Sequence, residues 1–324
     1  MVFEGLPPRR YAGAVWEGSN NMSKSMRTHA EPWPPLPLAE WEDTRATLHM
    51  WMQMAGKVCL ALTPLINHYW NTTLRLRPCG LVTPTISYGH RAFTILFDLE
   101  EHRLVFEFSD GVTRGFPLEP QTVAEFYAKF MDILREEKVD VYIRTIPTEV
   151  ENPIAFENDT THHAYDPAYV NAFWRVLLDL KPVFEEFRGS FIGKCSPLHF
   201  FWGGFDLALT RFSGRRAPAR PDADAMTRES YSHEVISHGF WPGGGPVSDA
   251  AFYAYAAPEP AGYESSSVRP AAAVYNTDLG IFILPYDAVR RSSTREEDLM
   301  SFLKTTYETG ATLANWNRAE LERR

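Results

Sequence analysis

GKCSPLHFFWGGFDLALTRFSGR, residues 193–215, sets Lys194, His199, Asp206, Arg211 and Arg215 inside one of the most aromatic, glycine-containing segments of the chain. So apolar a run is expected to be buried, and buried charges must find partners. Read as one strand over 199–212, it turns Phe205, Leu207 and Leu209 to one face and Trp202, Asp206, Ala208 and Thr210 to the other. Both faces are largely apolar, which points to a central strand. A buried Asp206 must then pair with a cation, accept hydrogen bonds or hold its proton. Two readings stay open: an acid–base group in a cleft, or a structural Asp–Arg or Asp–His pair tying two strands together.

Working outward, Pro34, Pro35 and Pro37 predict an extended arm. Leu48, Trp51, Met52, Ala55, Cys59 and Leu62 give one apolar face to a helix over 41–62. A strand is expected over 68–77. Phe93, Ile95 and Phe97 turn at Asp98–Arg103 into Leu104, Phe106 and Phe108, a hairpin. A helix over 120–137 with Pro120 in its first turn and a strand at 139–143 close the first half. Asp166-Pro167 then reads as cap and first residue of a helix. Strands are expected near 231–240, 251–257, 271–275 and 280–284, a loop at 213–228, and a final helix capped by Thr294 and Glu297.

The halves also match in words. Gly56-Lys57, Cys59, Pro64-Leu65 and His68-Tyr69-Trp70 parallel Gly193-Lys194-Cys195, Pro197-Leu198 and His199 to Trp202. Coincidence aside, this is an internal duplication. The fold class is therefore α+β: two similar helix–antiparallel-strands–helix repeats, mostly antiparallel sheet flanked by helices. The expected layout is a disordered or mis-called tail at 1–31, with Met22 or Met26 as alternative starts. A first repeat at 32–150 and a second at 151–324 follow, packed together, with ligands expected at their interface.

Composition narrows the function classes. A net charge of -9 without a basic block disfavours nucleic acid. Three cysteines without a CxxC pair argue against a disulfide framework and a cysteine zinc site, and for a reducing, cytoplasmic setting. No apolar run is long enough for a membrane span, and no secretory signal opens the chain. Aromatic residues make up 14%, first of all a supply of core rings.

Most motifs fail on spacing. His233-Glu234-Val235-Ile236-Ser237-His238 has one residue too many for HExxH, and on the expected strand its histidines point to opposite faces. Gly189 to Cys195 is one residue short of a phosphate-binding loop and has Cys where Ser or Thr belongs. Ser301 to Lys304 fits SxxK without its companion motifs. Asp159, His162, His163 and Asp166 read as a polar loop rather than metal ligands. His49, Gln53 and Lys57 read as a solvated helix stripe. No nucleotide motif is present, and metal is not expected.

The 193–215 words are similar to the signature HFFWGxFDLAxTRFSGR of an uncharacterised bacterial domain-of-unknown-function family. So are WPPLPLAEW at 33–41, TLHMWMQMAGK at 47–57, FEFSDG at 106–111, Ser232-His233-Glu234, Gly239 to Gly243, FYAYAAPEP at 252–260 and LPYDAVR at 284–290. The resemblance spans Trp33 to Trp316. It implies one cytoplasmic unit and brings no activity, cofactor or catalytic residue with it.

The candidate site therefore comes from the residues alone. His199, Asp206, Arg211, His233 and Glu234 are the candidate acid–base groups. Lys194, Trp202, Gly203, Gly204, Arg215, Phe240 and Trp241 are the candidate ligand contacts. The expected function is small-molecule binding with acid–base chemistry, enzymatic or not. The alternative is a non-catalytic interaction protein docking through an exposed apolar patch at 239–246. Oligomeric state is not readable.

Overall fold

Three prolines keep the arm extended until Pro37 gives way to α1 (Leu38–Leu62). The structure, a computed structural model, describes residues 31–245 and 247–323; the expected tail lies, but for Glu31, outside them. The arm is pinned by Trp33, which stacks on Tyr286 at 6.1 Å and donates its backbone N–H to Asp179 Oδ2 at 2.7 Å. Every residue of α1 from Thr47 to Cys59 is buried, so over this stretch the helix has no wet face and runs through the core. Trp51 stacks on Phe126 and Trp41 packs on Phe173.

The chain after α1 does not continue as the expected strand over 68–77. His68 and Tyr69 take positive φ, 60° and 59°, in a 3₁₀ turn at Asn67–Tyr69, and a strand cannot pass through such residues. The first sheet follows: β1 (Arg75–Arg77), β2 (Gly80–Val82), β3 (Ile86–Tyr88), β4 (Arg91–Asp98), β5 (Arg103–Phe108) and β6 (Thr113–Pro117). All pairings are antiparallel, in the order β1-β2-β4-β5-β6 with β3 also on β4. The β4–β5 hairpin is the one expected from its alternation.

Helix α2 (Val123–Glu136) covers this sheet, with Phe106 against Phe130. Its capping box is Thr122 with Glu125, so Pro120 lies before the helix and not in its first turn. The strand expected at 139–143 is absent: the Val139 N–H is spent on the Leu134 carbonyl closing α2. An irregular loop leads to α3 (Pro167–Gly189), capped by Asp166 as expected.

The second sheet holds β7 (His199–Phe201), β8 (Asp206–Arg216), β9 (His233–Trp241), β10 (Ala251–Ala257), β11 (Val274–Asn276) and β12 (Ile281–Pro285). They pair antiparallel in the order β11-β12-β10-β9-β8-β7. The strand expected over 199–212 is instead a hairpin. Trp202-Gly203-Gly204-Phe205 turn between Phe201 and Asp206, which pair, and Phe205 has φ 54°. A short α4 (Ala225–Ser230), capped by Asp224, interrupts the expected loop. Helices α5 (Tyr286–Arg290), α6 (Arg295–Leu313) and α7 (Arg318–Leu321) close the chain. Thr294 makes no side-chain cap on α6; its hydroxyl turns to Ser292 and Asp298 instead.

The architecture is α+β, with two antiparallel sheets of six strands each inside one compact unit, residues 32–324. The first half runs helix, six strands, helix; the second runs α3, two strands, α4, four strands and three helices, and the halves order their strands differently. A single antiparallel bridge, Leu74 to Phe200, joins the edges of the two sheets, each N–H reaching the other carbonyl at 2.9 Å.

Candidate functional site

Alternation along β8 sends Asp206, Ala208, Thr210 and Phe212 to one face and Leu207, Leu209 and Arg211 to the other. The first set lines a cavity of about 340 Å³. On the same face β9 adds Val235 and Ser237, and β10 adds Tyr253 and Tyr255. The 3₁₀ turn contributes His68 and Trp70, α4 contributes Met226 and Thr227, and the loop before α3 contributes Glu149. The floor carries hydroxyls: Thr210 Oγ1 meets Ser237 Oγ at 2.9 Å, and the hydroxyls of Tyr231 and Tyr255 lie 3.2 Å apart. Among the described residues no Lys or Arg lines the cavity.

Asp206 is buried, and its Oδ2 accepts a hydrogen bond from the Tyr253 hydroxyl at 2.5 Å. Gly239 makes this possible. A Cβ there would lie 2.3 Å from the Tyr253 Cζ and from the Leu207 carbonyl oxygen, so the tyrosine ring can cross β9 only where no side chain stands. Among the described residues Asp206 Oδ1 has no side-chain hydrogen bond. Burial pushes the Asp206 pKa up to about 7, helped by the nearby Glu149 carboxyl and opposed by the Tyr253 hydrogen bond.

Glu149 stands over the Gly203-Gly204 turn. A Cβ on Gly203 would lie 2.6 Å from its Oε1, and one on Gly204 would lie 2.9 Å from Asp206 Oδ1. The two glycines thus make room for two carboxyl groups at one end of the cavity. Surrounding protein and the Asp224 carboxylate push the Glu149 pKa up. Its backbone φ of 58° is strained for a non-glycine residue.

The loop carrying Glu149 is held by the helical stripe expected to be solvated. His49, Gln53 and Lys57 are all buried. Gln53 Nε2 donates to the Thr148 carbonyl and its Oε1 accepts from the Thr148 N–H, each at 2.8 Å. Lys57 Nζ donates to the Ile146 carbonyl at 2.9 Å and to Thr148 Oγ1 at 3.2 Å. His49 Nε2 donates to the Gly203 carbonyl at 2.8 Å. The stripe fixes the carboxyl end of the cavity from behind.

The other sequence candidates spread over three places. Trp202, Gly203 and Gly204 line the cavity with Asp206. The Trp202 indole donates to the Thr72 carbonyl at 3.0 Å, and its ring fills the place a Cβ on Gly56 would need. Lys194 sits outside, where its Nζ donates to His68 Nε2 at 2.8 Å over the Phe212 ring. His233 lies near the His68 ring, 6.0 Å between centroids, without lining the cavity. His199 is buried on β7 outside the cavity lining: its Nδ1 meets Thr73 Oγ1 at 3.1 Å, and burial, with Arg75 nearby, drives its pKa down to about 3.

Arg211, Glu234 and Arg215 lie away from the cavity. Arg211 is buried on the opposite face, donating to the Phe187 carbonyl and to Ser190 Oγ. Glu234 pairs with Arg215 at 2.7 Å and accepts from Ser213 Oγ at 2.8 Å. Phe240 packs in the core against Phe252 and Tyr286, and Trp241 packs on Tyr253 at 4.3 Å. In the 159–166 loop, His162 pairs with Asp159 at 2.7 Å while Asp166 caps α3. His233 and His238 do face opposite ways on β9, His238 reaching Thr306 of α6 at 3.0 Å.

Sequence reasoning missed Glu149, His68, Trp70, Tyr231, Tyr253 and Tyr255. The tyrosines of β10 had a signal: in FYAYAA they alternate with small or apolar residues, which puts both on one face. Glu149, in an irregular loop, had none. Among the described residues no helix is long and apolar enough to cross a membrane.

No match was found among curated proteins or among solved structures. The model of a family of unknown function, DUF5996, matches residues 33–323, nearly the whole described chain, and the chain belongs to that family.

Proposed function

We propose that the cavity binds a small organic molecule and that Asp206 exchanges a proton with it. The observation that carries this is a buried carboxyl that lines the cavity and has one side-chain hydrogen-bond partner, Tyr253, among the described residues. A pKa of about 7 leaves Asp206 divided between acid and base near neutrality, where proton transfer in both directions is easiest. Tyr253 fixes the carboxyl orientation, and the aromatic walls limit water. A cytoplasmic location belongs to the same proposal, since Cys59, Cys79 and Cys195 are unpaired, as a reducing compartment requires.

The interaction reading has thinner support. Phe240 and Pro242 are buried, and the exposed large apolar side chains, such as Leu65 and Ile66, lie elsewhere.

The test is native mass spectrometry of protein purified without metal-affinity resin, compared with its denatured mass. Extra mass released on denaturation and missing from a folded Asp206→Asn variant is the expected result. An Asp206→Asn chain that fails to fold would make Asp206 and Tyr253 a structural pair and sink the proposal.

A further inference from the structure

Two acids at one end of an aromatic cavity leave a charge to be balanced. Neither Asp206 nor Glu149 makes an ion pair among the described residues. Two nearby lysines are already engaged: Lys57 by the Ile146 carbonyl and Thr148 hydroxyl, and Lys194, itself outside the lining, by His68 and the Phe212 and Trp70 rings. The groups facing Asp206 are Glu149 from the loop, Tyr253 and Tyr255 from β10, and His68 across the cavity. None supplies a fixed positive charge: His68 Nδ1 lies 3.2 Å from the Glu229 and Ser230 carbonyls and its Nε2 accepts from Lys194, the pattern of a neutral ring.

We infer that the cavity takes a small molecule with a protonated amine, its nitrogen between Asp206 and Glu149 and its carbon body against Trp70, Phe201 and Phe212. The assignment rests on the small-molecule reading of the cavity above. Among the described residues an anion would meet two carboxyl groups and no Lys or Arg in the lining. A neutral ligand would leave the buried Asp206 carboxylate uncompensated. An ammonium satisfies both, donating to Asp206 Oδ1 and to Glu149, while ring faces attract its remaining charge. The cavity lies near the lower end of small-molecule sites in volume.

Three probes with one carbon body separate the possibilities: 2-phenylethylamine, 2-phenylethanol and phenylacetate, titrated by ligand-observed NMR. The amine is expected to bind, the alcohol about tenfold or more weakly and the acid not measurably. Glu149→Gln, a change at an exposed position, and Asp206→Asn each weaken the amine by about tenfold and leave the alcohol unchanged. Amine affinity rises from about pH 6 to about pH 8, as the carboxyl gives up its proton. Alcohol or acid binding as tightly as the amine overturns the inference. So does failure of all three, in which case native mass spectrometry alone decides whether the cavity holds a small molecule.

Discussion

Arg211 and Asp206 lie on the same strand, five residues apart, and both are buried: 1% and 8% exposed. They face opposite sides of β8 and meet opposite conditions. Around Arg211 the protein is closed. Its guanidinium donates to the Phe187 carbonyl and Ser190 Oγ and lies over the Phe187 ring at 3.5 Å and the Tyr307 ring at 4.3 Å. Burial lowers its pKa only to about 10, so it stays charged at neutral pH. Asp206 has one side-chain partner and then open volume. Both were equally conspicuous as buried charges in an apolar run. What separates a fastening from a candidate site is the space opposite the charge, and that space is made by residues remote in sequence.

The comparison breaks most visibly at Arg211. Arg211→Ala removes the stem packed among three rings, takes one of its donors from the Phe187 carbonyl and opens a cavity. The expected loss is roughly 3–5 kcal/mol of folding stability, by denaturant titration at neutral pH. A loss below about 1 kcal/mol would mean the back of the sheet tolerates the gap and the two faces are not so different.

Asp206→Asn should move the other way. The folded pKa of about 7 lies above the ordinary 3.8. Between these values the folded chain holds a proton that the unfolded chain has released, so stability falls as pH rises through that window and stays reduced above it. The full effect is on the order of 4 kcal/mol at most. Asparagine carries no such charge and can still accept from Tyr253. The variant should therefore match the natural chain near pH 4 and exceed it at pH 8, in thermal or denaturant melts. A variant less stable at pH 8 would mean that the ionised carboxylate fastens β8 to β10.

How much of this was legible follows from where the information lies. The alternation that puts Asp206 and Thr210 on one face of β8, the Asp166 cap and the β4–β5 hairpin are local, and local spacing states them. The extent of strand 199–212 was misread because Gly203-Gly204 suits a bulge as well as a turn, and only the pairing of Phe201 with Asp206 decides. His49, Gln53 and Lys57 looked solvated because a polar stripe on an apolar helix usually is. Their partners, Ile146 and Thr148, sit in a loop about ninety residues away with no periodicity to announce it. Glu149 was invisible for the same reason.

The smallest effect sharpens the comparison from the site side. Arg215 entered the candidate set as part of the 193–215 segment and Glu234 as a contribution from the next strand, yet their pair lies partly exposed, away from the cavity. Arg215 also donates to the Ala314 and Asn315 carbonyls at the end of α6. Arg215→Ala should cost no more than about 1 kcal/mol, since water screens such pairs and the side chain regains freedom when released. It should leave amine binding at the natural value, because nothing of Arg215 reaches the cavity. A variant as stable as expected that nonetheless binds the probe several-fold more tightly would show charge outside the cavity acting on the bound ammonium over distance. The boundary of the site would then be electrostatic, and the line drawn between the two faces of β8 would have to move.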